Sequence, residues 1–460
     1  MTAAQTFSVR GKRVAVVGAA RSGVAAAELL VRRGASVTLT DMREEIADAH
    51  RLRSAGVRLE LGRHERVTFA SADLIVVSPG VPATLPLIVD ARAAGIPVIG
   101  ELEMASRWLR GRIVAITGTK GKSTTTTLTG RMLEAGGHRV LVGGNIGNAL
   151  SAQVDDSTDD TIHVVEASSF QLESIESFRP WIAVLLNFSP DHLDRHADVD
   201  EYAAAKSRIF VNQTAADWAV LNADDGSVGR MAADAASRKL LFSMTDSLAS
   251  GVLVHGDSIV RRTADGDMPL VPLASVRLLG PHLIADVLAA SAVASLAGVD
   301  AAAMTEAVEH FTGLEHALEP VAEFGGVMFV NDSKATNIEA ARRAIESFDS
   351  VVVILGGRFK GGDFADLREP LLARGATVVA IGESQALVAK AMAGAVPVHV
   401  AADMGAAVRT AFASAAPGAV VVLAPACASF DMFSDYAERG RVFKQEVRRL
   451  EEEWKGAREQ

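Results

Sequence analysis

Residues 112–124 read Arg112-Ile-Val-Ala-Ile-Thr-Gly-Thr-Lys-Gly-Lys-Ser-Thr124. An apolar strand, Arg112 to Thr117, runs into a glycine-bearing turn, and the spacing predicts a helix over Ser123 to Gly136. Strand, turn and helix in that order are the unit of parallel βαβ construction. Backbone N–H groups of such a turn, with the helix N-terminus behind them, cradle phosphate oxygens. Gly118, Thr119, Lys120, Gly121, Lys122, Ser123 and Thr124 are therefore read as a phosphate-binding loop. Lys122 would reach terminal phosphates, and the Ser123 hydroxyl suits Mg²⁺. Position 116 is isoleucine where the full G-x-x-x-x-G-K-[ST] pattern has glycine, so the loop is a variant.

Working outward, the same pattern occurs on both sides. Before it, strands are predicted at Arg13 to Gly18, Ser36 to Thr40 and Ala72 to Ser78, with a helix over Gly23 to Arg33. After it come Thr161 to Glu166 and Ile182 to Asn187, and then Val327 to Val330, Ser350 to Leu355, Thr377 to Ile381 and Ala419 to Leu423. Polar or glycine-containing joints near 107 and 312 divide the chain into expected domains 1–107, 108–312 and 313–460. The fold class is α/β: a Rossmann-like N-terminal domain, a central phosphate-loop parallel sheet and a Rossmann-like C-terminal domain. Short alternating runs between Ala223 and Gly280 suggest a small antiparallel excursion in the central domain.

A chain of 460 residues, 49% hydrophobic and 22% charged, is long enough for several cores and is not disordered. Its net charge of -10 points away from nucleic acid and anionic membranes. One cysteine, Cys427, makes no internal disulfide, which fits a reducing cytoplasm, and reads as a core filler more readily than as a nucleophile. Thr410 to Phe430 is uncharged but broken by Pro417, Gly418 and Pro425, so no membrane span is expected.

Acids at strand ends are the natural metal candidates. Glu166 closes one strand, and Asp191-His192-Leu-Asp194 follows another; each alone also fits a helix cap or a solvated charge. Gly18-Ala-Ala-Arg-Ser-Gly23 with Asp41 approximates a dinucleotide fingerprint lacking its second glycine, which a dehydrogenase and a plain βα turn explain equally well. Asn331-Asp-Ser-Lys-Ala-Thr-Asn337 and two glycine- or alanine-rich turns, Gly356 to Lys360 and Pro425 to Ser429, carry Lys334, Thr336, Lys360 and Ser429. These residue types suit a small dicarboxylate and a transferring phosphate.

Together these segments resemble the Mur ligase family of peptidoglycan synthesis. The resemblance rests on Gly118 to Thr124, Glu166-Ala-Ser-Ser-Phe-Gln-Leu172, Asn187 to Asp194, Ala205-Lys-Ser-Arg-Ile-Phe210, Asn331 to Asn337, Gly356 to Lys360 and Pro425 to Ser429. It implies that Lys206, which sequence alone reads as a solvated helix lysine, is carbamylated and holds a second Mg²⁺ with His192 and Glu166. It implies that Asp41, Arg43, Ser78, Pro79, Gly80 and Asn145 contact a UDP-sugar. Asp286, Asp332 and Lys334 would serve ATP, and Thr336, Lys360, Ser429 and Tyr436 the incoming amino acid. Catalysis would fall to Lys122, His192, Lys206, Lys334 and Lys360, and the metal to Ser123, Glu166, His192 and Lys206. The chain departs from the family at Gly280-Pro-His-Leu-Ile-Ala-Asp286, where Leu283 and Asp286 replace asparagines, at Ala317, where arginine is usual, and at Lys120, where asparagine is common.

The expectation is a monomeric, cytoplasmic ATP- and Mg²⁺-dependent amide ligase that joins D-glutamate to UDP-N-acetylmuramoyl-L-alanine through an acyl phosphate. A nicotinamide dehydrogenase leaves the phosphate loop unexplained. A non-catalytic nucleotide sensor is opposed by the joint presence of Lys122, Glu166, His192, Lys206 and Lys334.

Overall fold

Val351-Val-Val-Ile-Leu355 is apolar without interruption because both faces of its sheet are covered. Alternate side chains of a strand point to opposite faces. Val353 and Leu355 pack with Val330, Val378 and Val422 on one side, while Val352 and Ile354 pack with Phe329, Val379 and Val421 on the other. The computed structural model describes residues 7–192, 195–277 and 282–457. The expected Asp194 and Gly280-Pro281 lie outside the described residues.

Three sheets organise the chain, confirming an α/β fold of three mainly parallel domains. The first has five parallel strands in the order Arg58–Leu61, Ser36–Asp41, Arg13–Val17, Leu74–Val77, Val98–Gly100. The second has nine, running Arg139–Gly144, Thr161–Glu166, Arg112–Thr117, Ile182–Leu185, Trp218–Asn222, Arg238–Ser243 and Gly251–His255 in parallel. Ser258–Thr263 and Gly266–Pro272 then close its edge in antiparallel fashion. The third is parallel through Val327–Asn331, Val420–Leu423, Val351–Gly356, Thr377–Ile381 and Val398–Val400, with Glu319–Phe324 antiparallel at one edge.

The antiparallel excursion is narrower than the 223–280 read from the sequence. Arg238–Ser243 pairs in parallel with Trp218–Asn222, because the helix Gly226–Met231 returns the chain to the same sheet edge. Only 251–272 forms the meander.

The chain makes two compact units. The first two sheets share one, built from the chain up to Val276 with Ile284–His310, and the third sheet belongs to the other, from Phe311 onward. Within the first unit one apolar core runs from Val14, Val16 and Leu39 to Ala115, Ala183 and Leu185, and Ala15, Val17, Ile75 and Ile88 build another on the opposite face of the first sheet. Among the described residues no helix is long and apolar enough to cross a membrane. Parallel strands carry their loops to one edge, so the turns after Thr117, Glu166 and Leu185 meet at the carboxyl end of the second sheet.

Candidate functional site

The loop between Thr117 and the helix Lys122–Ala135 is held from outside itself. Asn187 Oδ1 accepts the Thr119 N–H (3.1 Å) and the Lys120 N–H (2.8 Å), while its Nδ2 donates to the Lys120 carbonyl at 3.1 Å. Thr119 Oγ1 adds a bond to the Ser189 carbonyl. Gly121 has φ +78°, and a Cβ there would stand 2.1 Å from Asp286 Oδ1, so glycine is required twice over. Lys122 Nζ folds back onto the carbonyls of Gly118 (3.1 Å) and Thr119 (3.0 Å). Asp286 is buried and accepts a bond from Thr125 Oγ1 at 3.1 Å; burial pushes its pKa up to about 8, so it is neutral beside the loop at pH 7. Asn187 was absent from the candidates. Its signal was a lone amide just past an apolar strand adjacent to the loop's own strand.

Three further loops converge here. Glu166, 2% exposed, accepts from Ser123 Oγ and from Asn145 Nδ2, each at 2.7 Å. One carboxylate thus ties the phosphate loop to a residue expected at the UDP-sugar. Lys206, on the helix Val199–Ser207, is 1% exposed and donates to the Gly118 carbonyl at 2.7 Å, with its ammonium 4.6 Å from the Tyr202 ring centroid. The solvated helix lysine read from sequence is therefore corrected: the helix turns this position inward onto the loop. Burial first, and the nearby Lys122 charge second, lower its pKa to about 7.

His192 stands apart. It is exposed, has φ +55°, and packs its ring against Phe170 at 5.1 Å. Among the described residues its ring makes no hydrogen bond or ion pair with Glu166 or Lys206.

The donor set suits Mg²⁺. Ser123 and Glu166 offer hard oxygens, and Glu166 accepts bonds from the neutral Ser123 and Asn145. Among the described residues no three His, Cys, Asp or Glu side chains converge as a metal cage. Few protein oxygens with room for water and phosphate is the Mg²⁺ pattern, whereas a structural zinc site needs a closed set of four.

In the first sheet, Asp41 Oδ2 accepts the Ala19 N–H at 2.6 Å, and its two oxygens take the Arg43 fork at 3.0 Å. Burial opposes its charge, but these bonds outweigh it and hold the pKa at about 2. Ser78 Oγ is committed to the Gly18 carbonyl at 2.9 Å, so the hydroxyl braces the first turn. Ser78 and Pro79 line a cavity of about 320 Å³ with Phe170, Gln171 and Ser174. The Gly80 carbonyl accepts from Arg195 Nη1 at 3.2 Å.

In the second unit, Asp332 lies at the end of the strand Val327–Asn331 and accepts the Leu318 N–H at 3.2 Å; burial raises its pKa to about 7. Lys334 and Lys360 are exposed, and Lys360 Nζ donates to Thr336 Oγ1 at 3.4 Å. Ser429 is buried, and Tyr436 is exposed with its ring 6.1 Å from His316. Cys427 is fully buried with Sγ 3.5 Å from Ser384 Oγ, as a core filler should be. Sequence reasoning missed Arg439, a buried arginine disguised within the charged helix Tyr436–Gly456.

Comparison with known proteins accords with this geometry. Family models match in order: the MurD-like N-terminal domain at 12–100, the Mur ligase middle domain at 116–294 and the Mur ligase glutamate ligase domain at 316–427. The chain is 49% identical over 444 residues to the UDP-N-acetylmuramoylalanine--D-glutamate ligase of Acidobacterium capsulatum, covering 95% of this chain and 96% of that one. It is 45% identical over 453 residues to the protein of the same name from Koribacter versatilis, covering 98% and 100%. Among solved structures, a pseudomurein peptide ligase type C from Methanothermus fervidus superposes with a TM-score of 0.58 at 17% identity, over 96% of this chain and 100% of that one. The UDP-N-acetylmuramate-alanine ligase MurC of Thermotoga maritima does so with a TM-score of 0.58 at 18% identity, with the same coverage. These structures share the fold, and identity sustained across nearly the whole length of the sequence relatives, through a phosphate loop braced by Asn187 and Glu166, places this chain in the Mur ligase family.

Proposed function

We propose that the protein is an ATP- and Mg²⁺-dependent ligase that joins D-glutamate to UDP-N-acetylmuramoyl-L-alanine in peptidoglycan precursor synthesis. The observation that carries the reading is Glu166, bonded at once to Ser123 of the phosphate loop and to Asn145. Near-full-length identity of 45–49% to ligases of that name supports the choice of substrates.

A carboxylate is a poor electrophile, so the substrate carboxylate first takes the terminal phosphoryl group of ATP, and the amine of the amino acid then attacks and expels phosphate. The Gly118 to Ser123 loop, with the backbone N–H groups at its helix end, and the Lys122 ammonium hold the phosphates, and Asp286 and Asp332 serve the nucleotide. Asp41, Arg43, Ser78 to Gly80 and Asn145 hold the UDP-sugar. Lys334 neutralises charge developing at the phosphoryl group, while Thr336, Lys360, Ser429 and Tyr436 orient the amino acid. Ser123 and Glu166 would hold Mg²⁺, with His192 and a modified Lys206 at a second position, and the bound metal would supply Lewis-acid polarisation of phosphoryl oxygens. Lys206 at a pKa near 7 keeps a neutral amine fraction at physiological pH. That amine attacks CO₂, forming an N–C bond and releasing a proton, and so becomes an anionic carbamate.

The division of labour we propose is 1–107 for the UDP-sugar, 108–312 for ATP and 313–460 for the amino acid and ATP, in a monomeric cytoplasmic enzyme. The test is phosphate release from ATP with Mg²⁺, UDP-N-acetylmuramoyl-L-alanine and each amino acid in turn. Release should depend on D-glutamate. Release that no amino acid stimulates, or that proceeds without the UDP-sugar, would refute the reading.

A further inference from the structure

Arg439 is a cation sealed inside the second unit. It lies in the first turns of the helix Tyr436–Gly456, is 1% exposed, and among the described residues has no carboxylate within ion-pair distance. Its fork instead holds two loops. Nε donates to Ser333 Oγ and Nη2 to the Ser333 carbonyl, both at 2.9 Å, and Nη1 donates to the Cys427 carbonyl at 3.1 Å. Ser333 Oγ donates its own hydrogen bond to the Tyr436 carbonyl at 2.8 Å.

Burying an arginine with no carboxylate at ion-pair distance, only the longer-range charge of Asp431, is costly, and a packed apolar side chain would serve stability better. Burial lowers its pKa to about 10, which still leaves it charged at neutral pH. The positions it joins explain the expense. Ser333 sits between Asp332 and Lys334, and Cys427 is two residues before Ser429. The latter loop is strained, with Ala426 at φ +59°, and needs an external brace. A third segment closes on the same spot: a Cβ on Gly357 would stand 2.4 Å from the Ala428 carbonyl and 3.3 Å from Arg439 Nη1.

We infer that Arg439 is a positioning residue that locks the Asp332–Thr336 segment in register with the Cys427–Ser429 loop, and so holds together the segments that receive the incoming amino acid. The inference rests on the ligase reading above. A planar fork can satisfy both loops at once, whereas a single ammonium cannot.

Arg439→Lys keeps the charge and loses the two-loop geometry, and Arg439→Ala loses both. In the full-length protein, with phosphate release as the assay, both should raise KM for D-glutamate about tenfold or more while leaving KM for the UDP-sugar within about twofold. Added guanidinium should restore the alanine variant in part. Ser333→Ala removes one arm without opening a large cavity and should raise the glutamate KM by a smaller factor, so the idea stays testable if the Arg439 variants do not fold. An unchanged glutamate KM in a folded Arg439→Lys, or in Ser333→Ala when that is the variant that folds, overturns the inference, as does a fall in kcat alone. A wild-type protein without glutamate-dependent release would instead overturn the ligase reading, so the two failures are separable.

Discussion

Lys206→Met should stabilise the ligand-free protein in mild acid while ending turnover. The wild-type ammonium has a folded-state pKa of about 7, against about 10.4 for a lysine in an unfolded chain. At about 1.4 kcal/mol per unit, the charged residue costs the fold roughly 4–5 kcal/mol. The sign follows from proton binding: the unfolded chain holds this proton more tightly, so the penalty is complete below the folded pKa and fades as pH rises toward the unfolded value. At pH 9 about 2 kcal/mol remains. Methionine removes the charge but leaves the Gly118 carbonyl without its 2.7 Å donor, a loss of about 1–3 kcal/mol that Lys122, bonded to the same oxygen, partly offsets. The balance is a gain of roughly 2–3 kcal/mol at pH 6 and almost none at pH 9, or about 5–10 °C of melting temperature at pH 6 for a domain of this size. The assay is thermal unfolding at both pH values without Mg²⁺, nucleotide or bicarbonate, beside phosphate release at pH 8. A shift equal at the two pH values, or a loss at pH 6, would refute the burial argument; retained turnover would refute the metal role.

Lys122→Ala should lower turnover by about 10²–10³ with a small change in melting temperature, since its ammonium folds back onto the loop carbonyls of Gly118 and Thr119 and packs in no core. Asp286→Asn should gain more stability at pH 9 than at pH 5, because the wild-type acid, with a folded pKa near 8, pays an ionisation penalty that grows with pH up to that value. Glu103, fully buried, accepts from the Glu176, Ser177 and Phe178 N–H groups and from Arg107, so Glu103→Ala should cost about 3–5 kcal/mol in a denaturant titration. Its folded pKa is depressed: burial is outweighed by these bonds, so the stabilisation it brings is present above the unfolded carboxylate value and disappears as pH falls through the folded one.

Local sequence determined the strands and the phosphate loop. Arg112–Thr117, Thr161–Glu166 and Thr377–Ile381 form where the apolar runs placed them, because a strand buried on both faces is predominantly apolar and that bias is visible in the local sequence. Gly121 was legible for the same reason: its φ of +78° is a demand the chain meets locally. Tertiary structure alone decided what the polar residues do. Lys206 looks like any lysine of a mixed helix until the helix is docked onto the Gly118 carbonyl, 88 positions away in sequence, and Arg439 hides in a helix rich in other charged residues. Ser78, expected at a ligand, spends its hydroxyl on Gly18, and Asn187, which opens a family motif but is given no role there, braces the loop. An apolar side chain declares its burial by type, whereas a polar one acquires its role from a partner distant in sequence, and only folding chooses the partner.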